Sequence, residues 1–427
     1  HDPATVYVAF RRDKVGDPAP YIFRSTDYGK SWTRLVNGLR DGEPVRVVRE
    51  DPERKGLLYA GTETGVYVSF DGGARWQTFS GNLPVVPVTD LDVRHGDLIA
   101  STEGRAFWIL DDLSVVRQHA DSIAAAAVFL YQPRAALLFD GGGGFFVPRS
   151  AGRNPPNGAA VFYGLATLPD TSTMVKLEFL DASGVVLRTF SNKEGTGTTR
   201  LAPKAGVNAF AWDLRRAAPT TLTGIVLFGA PGNGGAKVTP GLYSVRLSVG
   251  ATTRVQPFQV KDDPRRNTPP AMVAERDSVT RMLVTRIGEI HDAVLRVRDL
   301  KTQVQSIVTR TKDADSAKAI GASGGAIVKK LETFDPRMTT KAQNGQDIIN
   351  YANGINGQYG FLLGQVEGNP VLTAPAKARL AELEKLWSAL RSEVETVESV
   401  DIAAFNKLLA ASKIDPVITK KKLGAIM

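Results

Sequence analysis

Apolar and polar residues alternate along short segments in the first part of the chain. Val6 to Phe10, Tyr21 to Arg24, Leu57 to Thr62 and Val66 to Ser69 are runs of this kind. A period of two, bounded by Gly, Pro, Asp and Ser, is typical of β-strands. Pro84 to Val93 predicts another strand, whose Val and Leu residues are expected to pack between sheets. Residues 1–115 therefore predict several small β-sheets.

The apolar spacing becomes helical after Asp262. The first stripe, with intervals of four and three, comprises Leu283, Ile287, Ile290, Val294 and Val297, and continues through Leu300, Val304 and Ile307. A second stripe comprises Leu380, Leu383, Trp387, Leu390, Val394 and Val397. Thr373 with Pro375 marks a helix start, and weaker patterns predict helices near 314–333 and 345–366. Residues 263–427 are predicted to form an antiparallel bundle of three or four helices, whose stripes are core or partner-facing seams.

A turn with the pattern Ser-x-Asp-x-Gly-x-x-Trp occurs twice, 44 residues apart. Its members are Ser25, Asp27, Gly29 and Trp32 in the first copy, and Ser69, Asp71, Gly73 and Trp76 in the second. An Asp in a tight hairpin accepts hydrogen bonds from backbone N–H groups, and Gly permits positive φ. The Trp is expected to close the turn against the sheet and to bury a large apolar area. We interpret both aspartates as structural caps; a metal-ligand role is the alternative.

These turns resemble Asp-box (BNR) repeats, and the chain is similar to the C-terminal portion of bacterial secreted proteins with a sortilin-like Asp-box β-propeller. Such proteins are often labelled glycosyl hydrolases. The segment from Thr102 to Leu113 resembles the closing blade of that family, with Ala106 in place of its last Gly. The resemblance implies a mainly β, then α, multidomain chain that begins with propeller blades.

The repeats predict about two and a half blades in residues 1–115, the last of which lacks the Trp and looks like a terminal repeat. A closed propeller needs at least four blades. The expected partners are therefore upstream blades, on the same precursor or on a companion chain. Because the chain begins at His1 without a leader, we expect a processed product or a fragment.

Residues 116–157 are predicted to be a Gly- and Pro-rich linker, in which Ile123 to Tyr131 predicts a strand or a short helix. Residues 158–262 predict an Ig-like β-sandwich with five strand-like runs. They are Ala159 to Tyr163, Val175 to Leu180, Val185 to Phe190, Asn208 to Leu214 and Leu242 to Val249. Pro240 to Tyr243 resembles the Ig-like module of flagellar hook-capping proteins. We expect Trp212 to be a core residue rather than a platform for sugar stacking.

The amino-acid composition limits the cofactors and partners that the chain is expected to bind. The chain has no Cys and four His without ligand spacing, so no metal or other cofactor is expected. The formal net charge is +9, but basic residues are interleaved with acidic ones, and the run Lys420 to Lys422 is too short to indicate nucleic-acid binding. The glycines at 141–144 lack the Lys and Ser/Thr of a phosphate-binding loop. No run is long and apolar enough for a membrane span.

A sialidase-like site would need an arginine cluster, a Tyr nucleophile with a Glu partner and an Asp acid. The residues available for it in the blades are Glu63, Tyr67, Arg94, Glu103 and Arg105. His95, with Asp92 and Asp97 nearby, lacks a nucleophile elbow. Two hypotheses follow. The first is a noncatalytic, extracytoplasmic binding or assembly protein of a bacterium, with a protein or glycan partner. The alternative is a glycoside hydrolase whose site lies mostly on upstream blades.

Overall fold

The structure is a computed structural model. It describes residues 1–120, 123, 125–139, 152, 154–195, 199–227, 229–230, 234–313, 315–341 and 353–419. The features of the sequence analysis that lie outside these residues include the glycines at 141–144, residues 345–352 of a predicted helix and the run Lys420 to Lys422.

Residues 1–115 form three consecutive antiparallel sheets. The first sheet contains β1 (Val6–Ala9), β2 (Ile22–Ser25) and β3 (Thr33–Arg34), in that order. The second contains β4 (Val45–Glu50), β5 (Leu58–Thr62), β6 (Val66–Ser69) and β7 (Gln77–Thr78). The third contains β8 (Val88–Arg94), β9 (Asp97–Thr102) and β10 (Phe107–Leu110). The strands predicted from the period of two are present.

The second sheet has a hydrophobic core on each of its faces. The core shared with the first sheet includes Ile22, Leu35, Val45, Leu58, Ala60, Tyr67 and Trp76. The core shared with the third sheet includes Val47, Tyr59, Val66, Val68, Val88, Leu91 and Leu98. Adjacent residues of one strand, such as Leu58 and Tyr59, enter different cores because side chains alternate across a strand. The second sheet is therefore covered on both sides, by the first and the third.

The strands of the three sheets correspond by register. Val6 pairs with Ser25, and Leu58 pairs with Ser69, so β1 and β2 occupy the positions of β5 and β6. The short strands β3 and β7 then correspond as well. Among residues 1–120, the first sheet has no counterpart of β4, and the third sheet has no counterpart of β7. Each outer sheet consequently has three strands where the central sheet has four.

Residues 128–262 form two further sheets that share one core. The three-stranded sheet has the order β11 (Val128–Leu130), β13 (Ala159–Leu165) and β16 (Gly206–Trp212). The five-stranded sheet has the order β12 (Ala136–Leu138), β18 (Thr252–Asp262), β17 (Gly241–Val249), β14 (Val175–Asp181) and β15 (Val186–Ser191). Residues 128–138, which the sequence analysis assigns to the linker, thus supply a strand to each sheet.

Trp212 lies in the core between these two sheets and is fully buried. Its ring stacks on Phe179 with centroids 4.4 Å apart, and its Nε1 donates a hydrogen bond to the Arg215 carbonyl oxygen at 2.9 Å. The prediction that this residue belongs to the core is confirmed. Because both faces of the indole are enclosed, it offers no surface for a sugar.

The C-terminal region is helical. A short helix, α1 (Ser114–Arg117), follows the third sheet. The other helices are α2 (Pro270–Arg310), α3 (Ala317–Glu332), α4 (Phe334–Met338), α5 (Ile355–Gly368), α6 (Ala374–Thr396) and α7 (Ala403–Ala411), with a π-helical turn at Val397–Ile402. All eight residues of the first predicted stripe are buried. Thr373 caps α6 through its side chain, as predicted. No helix in the described part of the chain is long and apolar enough to cross a membrane.

Candidate docking face of the first sheet

The first Ser-x-Asp-x-Gly-x-x-Trp turn is closed by hydrogen bonds within itself. The Ser25 hydroxyl donates to Asp27 at 2.8 Å and accepts from the backbone N–H of Gly29 at 2.8 Å. The backbone N–H of Ser31 donates to Asp27 at 2.9 Å, and its hydroxyl donates at 2.6 Å. The hydrogen bonds from Ser31 and then Ser25 lower the pKa of Asp27 to about 2. A carboxylate held in this way stabilises the turn.

The second turn repeats this arrangement. The Ser69 hydroxyl donates to Asp71 at 2.7 Å and accepts from the backbone N–H of Gly73 at 2.9 Å. The backbone N–H of Arg75 donates to Asp71 at 3.0 Å. Burial raises the pKa of Asp71, but the donors from Arg75 and Ser69 outweigh it, so the pKa lies below its usual value. Within the described residues, no group of three His, Asp or Glu side chains could hold a metal ion.

The two tryptophans of these turns differ in burial. Trp76 is 2% exposed, and its indole N–H donates to the Leu35 carbonyl oxygen of the first sheet at 3.0 Å. Trp32 is 46% exposed, and its indole N–H donates to Gly29 of its own turn at 3.1 Å. The expectation that both tryptophans bury a large apolar area is therefore wrong for Trp32. Trp76 packs on the sheet that precedes its own, whereas no sheet of the described chain covers Trp32.

The same difference extends over one whole face of the first sheet. By register and by the 44-residue repeat, Val6, Val8, Phe23 and Trp32 correspond to Leu58, Ala60, Tyr67 and Trp76. The second group is buried in the core between the first and second sheets. In the first group, Val6 is 42% exposed and Val8 is 38% exposed. We call the surface formed by Val6, Val8, Phe10, Phe23 and Trp32 the first-sheet face.

Aromatic contacts join Phe10 to Phe23 within the first-sheet face. Phe10 is 41% exposed, and its ring stacks on Phe23 at 5.6 Å and on Tyr21 at 4.9 Å. A contiguous exposed apolar surface on a folded protein is typical of an interaction site. The repeat also indicates the shape of a partner surface that would fit the first-sheet face. It is the shape of the sheet surface that covers the equivalent residues Leu58 and Trp76.

The structure does not bring the candidate residues for glycoside hydrolysis together in one site. Tyr67 is buried, and its hydroxyl donates to the Glu43 carboxylate at 3.0 Å. Burial and then this hydrogen bond raise the pKa of Tyr67, which is opposite to the shift that a Tyr nucleophile needs. Arg94 pairs with Asp92 at 3.1 Å on the surface. The carbonyl oxygen of Arg105 accepts the Trp108 indole N–H at 3.0 Å.

Arg46 brings two of the candidate residues together. It contacts Glu63 at 2.8 Å and Glu103 at 2.9 Å, and so links the second sheet to the third. Arg11 of the first sheet reaches Glu63 at 3.1 Å and Asp13 at 2.7 Å. Since the guanidinium groups are paired with carboxylates of the chain itself, this network joins the sheets rather than forming a carboxylate-binding arginine cluster.

Sequence analysis missed a buried histidine between the sandwich-like part and the helices. His291 on α2 is 2% exposed, and its Nδ1 lies 2.6 Å from the Thr220 carbonyl oxygen. Its Nε2 lies 3.3 Å from the side-chain nitrogen of Asn356. A cavity of about 550 Å³ lies beside it, lined mainly by apolar residues such as Leu222 and Ile287. Both ring nitrogens have partners, so the histidine serves packing between the two regions. The helical stripe predicts burial at position 290 but gives no signal for a polar neighbour.

No protein-family model matches the chain, and no curated protein does. Among solved structures, the chain has a weak likeness to the extracellular domain of a putative hybrid two-component system from B. thetaiotaomicron, with 8% identity and a TM-score of 0.20. The likeness covers 56% of this chain and 28% of that one. An ancestral GH74 enzyme gives 14% identity and a TM-score of 0.19, over 60% of this chain and 34% of that one. The chain thus spans about a third or less of either structure. Both are β-rich proteins.

Proposed function

We propose that this chain is a noncatalytic part of an extracytoplasmic binding or assembly protein, in which the three sheets are blades of an Asp-box propeller. The single observation that carries the proposal is the first-sheet face. Val6, Val8 and Trp32 of this face are exposed, whereas their counterparts in the second sheet are buried against a neighbouring sheet. The partner on this face is a further Asp-box sheet, on the same precursor or on a companion chain.

Residues 128–419 are proposed to position the blades for assembly. The sandwich, an Ig-like module in this proposal, is joined to the helices by an ion pair that is buried at both ends. Arg215 contacts Glu367 of α5 through two hydrogen bonds, at 3.1 and 2.8 Å. A buried, two-point Arg–carboxylate contact fixes orientation as well as distance. The two regions would therefore act as one body in presenting the blades.

A glycoside hydrolase with its site on upstream blades is the competing hypothesis. The buried Tyr67, with its raised pKa and its carboxylate partner Glu43, speaks against a nucleophile within these three sheets. Assay of the complete natural protein on a broad set of aryl-glycosides and polysaccharides separates the two functions. Turnover would support the hydrolase and contradict a purely noncatalytic role.

Native and denaturing mass spectrometry of the natural particle tests the assembly role. We expect the chain to occur with further blades, either as a covalent extension or as a companion polypeptide. Trp32→Glu should release a companion chain, because a carboxylate would be buried without a partner. Val85→Glu is the matched control, since Val85 is 80% exposed and lies off the first-sheet face. A particle that contains this chain alone, with no further blade, would contradict the proposal.

A further inference from the structure

In the described part of the chain, the outer edge of the third sheet is an apolar strand that no other strand covers. Among the described residues, β10 pairs only with β9, in the register Trp108 with Ala100 and Ile109 with Ile99. Phe107 is 75% exposed, Ile109 is 58% exposed and Leu110 is 44% exposed. An unpaired edge presents backbone N–H and C=O groups to any strand of matching length.

The other two sheets protect the same edge. Their outermost strands, Thr33–Arg34 and Gln77–Thr78, are two residues long and polar. Short and charged or polar edge strands are the usual protection against pairing with other chains. The edge strand β10 of the third sheet consists instead of four large apolar residues, Phe107 to Leu110, and has no charged side chain. The apolar composition of this edge is therefore typical of a strand that pairs with another strand.

The equivalent positions show how it would be covered. Leu35, after β3, donates its backbone N–H to the Ile22 carbonyl oxygen at 2.8 Å. Phe79, after β7, donates in the same way to Val66 at 2.7 Å. Phe107 pairs with Ser101 in the third sheet, in the position where Val66 pairs with Gly61 in the second. The acceptor that corresponds to the Val66 carbonyl oxygen is therefore the carbonyl oxygen of Phe107. A strand that follows the same course would also lie over the exposed Ile109 side chain.

We propose that β10 accepts an extended strand from an Asp-box sheet outside this chain. The strand would have the pattern Trp-polar-polar-apolar that the chain itself uses at Trp32 to Leu35 and at Trp76 to Phe79. Both of those strands are already paired within their own sheets, with β2 and β6. A second copy of this chain therefore has no free strand of this type. The edge lies on the third sheet, so this inference can fail while the first-sheet face is still a docking surface.

The chain lacks cysteine, which permits a test by disulfide exchange. The probe is a synthetic peptide of residues 74–81 with Gln77→Cys, because Gln77 lies opposite Val68, the counterpart of Ile109. Directly opposite residues of two strands lie at a separation that a disulfide spans. The full chain carries Ile109→Cys, and the matched control carries Val85→Cys, which is also exposed. Circular dichroism checks that both variants fold.

The measurement is the equilibrium constant for mixed disulfide formation in a glutathione buffer. We expect it to be about tenfold larger for Ile109→Cys than for Val85→Cys, because strand pairing and burial of the indole add to the thiol exchange. A peptide with Trp76→Ala should lose most of that advantage. Equal constants at the two positions would overturn the proposal. So would preferential formation of disulfide dimers by the Ile109→Cys chain, which would make a second copy the occupant.

Discussion

Gly38 lies against Trp76 so closely that a Cβ atom at this position would be 2.1 Å from the Trp76 carbonyl oxygen. Its φ is +94°, which also favours glycine. The contact joins the loop that leaves the first sheet to the Ser-x-Asp-x-Gly-x-x-Trp turn of the second. The docking of one sheet on the next thus depends on this loop, as well as on the tryptophan.

We expect Gly38→Ala to lower the free energy of unfolding of the first two sheets by about 2 kcal/mol or more, because backbone must move. Gly81→Ala is the control. Gly81 also has positive φ, at +53°, but a Cβ there meets no atom within 4 Å. Its cost should be about 1 kcal/mol, from conformation alone. Thermal unfolding followed by circular dichroism measures both. Equal losses would mean that the loop does not determine how the sheets dock.

Removal of the tryptophans of the two repeated turns should have unequal effects on the isolated chain. Trp76→Ala should destabilise the sheets by about 3–5 kcal/mol, since it leaves a cavity between the first two. Trp32→Ala should cost less than about 1 kcal/mol, because no described sheet packs on that indole. Urea titration of the two variants and the unmodified chain provides the comparison. A large loss from Trp32→Ala would show that the side chain already has a partner within the chain.

Removal of one partner of the Arg215–Glu367 ion pair should lower the stability of the protein strongly. Arg215 is 8% exposed and Glu367 is 9% exposed, so removal of either partner buries an uncompensated charge. We expect Arg215→Met to cost about 3–5 kcal/mol, and addition of Glu367→Leu to recover much of this loss. Hydrogen exchange of peptides from β16 and α5 would show whether these two elements separate in the variants. If the double variant were as unstable as the single one, apolar packing could not replace the pair.

The buried His291 should make stability depend on pH below neutrality. Burial lowers its pKa from 6.5, and the Thr220 carbonyl and Asp292 oppose this only in part. The unfolded chain therefore takes up a proton at higher pH than the folded chain does. The contribution is fully present above about pH 6.5 and is lost as the pH falls from there towards the folded pKa.

Urea titrations at pH 7.5 and 5.5 would measure this loss. His291→Gln should show a smaller difference between the two pH values than the unmodified chain, because the glutamine does not titrate. His95→Gln serves as a control, since it removes a histidine outside this contact. An unchanged pH difference in His291→Gln would assign the dependence to other groups.

Sequence periodicity predicts the strands and helices well where a single rule applies. The stripe from Leu283 to Ile307 is buried as spacing alone requires, and the Thr373 cap follows from local hydrogen bonding. The exposure of Trp32 could not be predicted in this way, because its turn has the same sequence pattern as the turn of Trp76. The difference lies in which sheet is adjacent, and that is a property of tertiary packing.

The number of strands and the pairing of side chains could likewise not be predicted from the sequence pattern. The strand Thr252–Asp262 is eleven residues long, but its alternation is weak, since six of its residues are exposed and Pro257 lies within it. The partner of Tyr67 is Glu43, which lies in a loop 24 residues away. Nothing in the spacing of the two residues indicates that contact. Of the candidate site residues chosen by type alone, Glu63 and Glu103 share Arg46, whereas Tyr67 contacts Glu43 and Arg94 pairs with Asp92.

The central claim is that the first-sheet face docks a further Asp-box sheet, and the repeat itself provides the direct test. Residues Val6 and Leu58 correspond, so a second copy of residues 1–52 placed before His1 would supply a preceding sheet and the missing innermost strand. The measurement is hydroxyl-radical oxidation of each tryptophan, quantified by mass spectrometry. In the original chain Trp32 should oxidise much faster than Trp76. In the extended chain the original Trp32 should be protected to the level of Trp76. If it remained as reactive as before while the rest of the chain was folded, the claim would be contradicted.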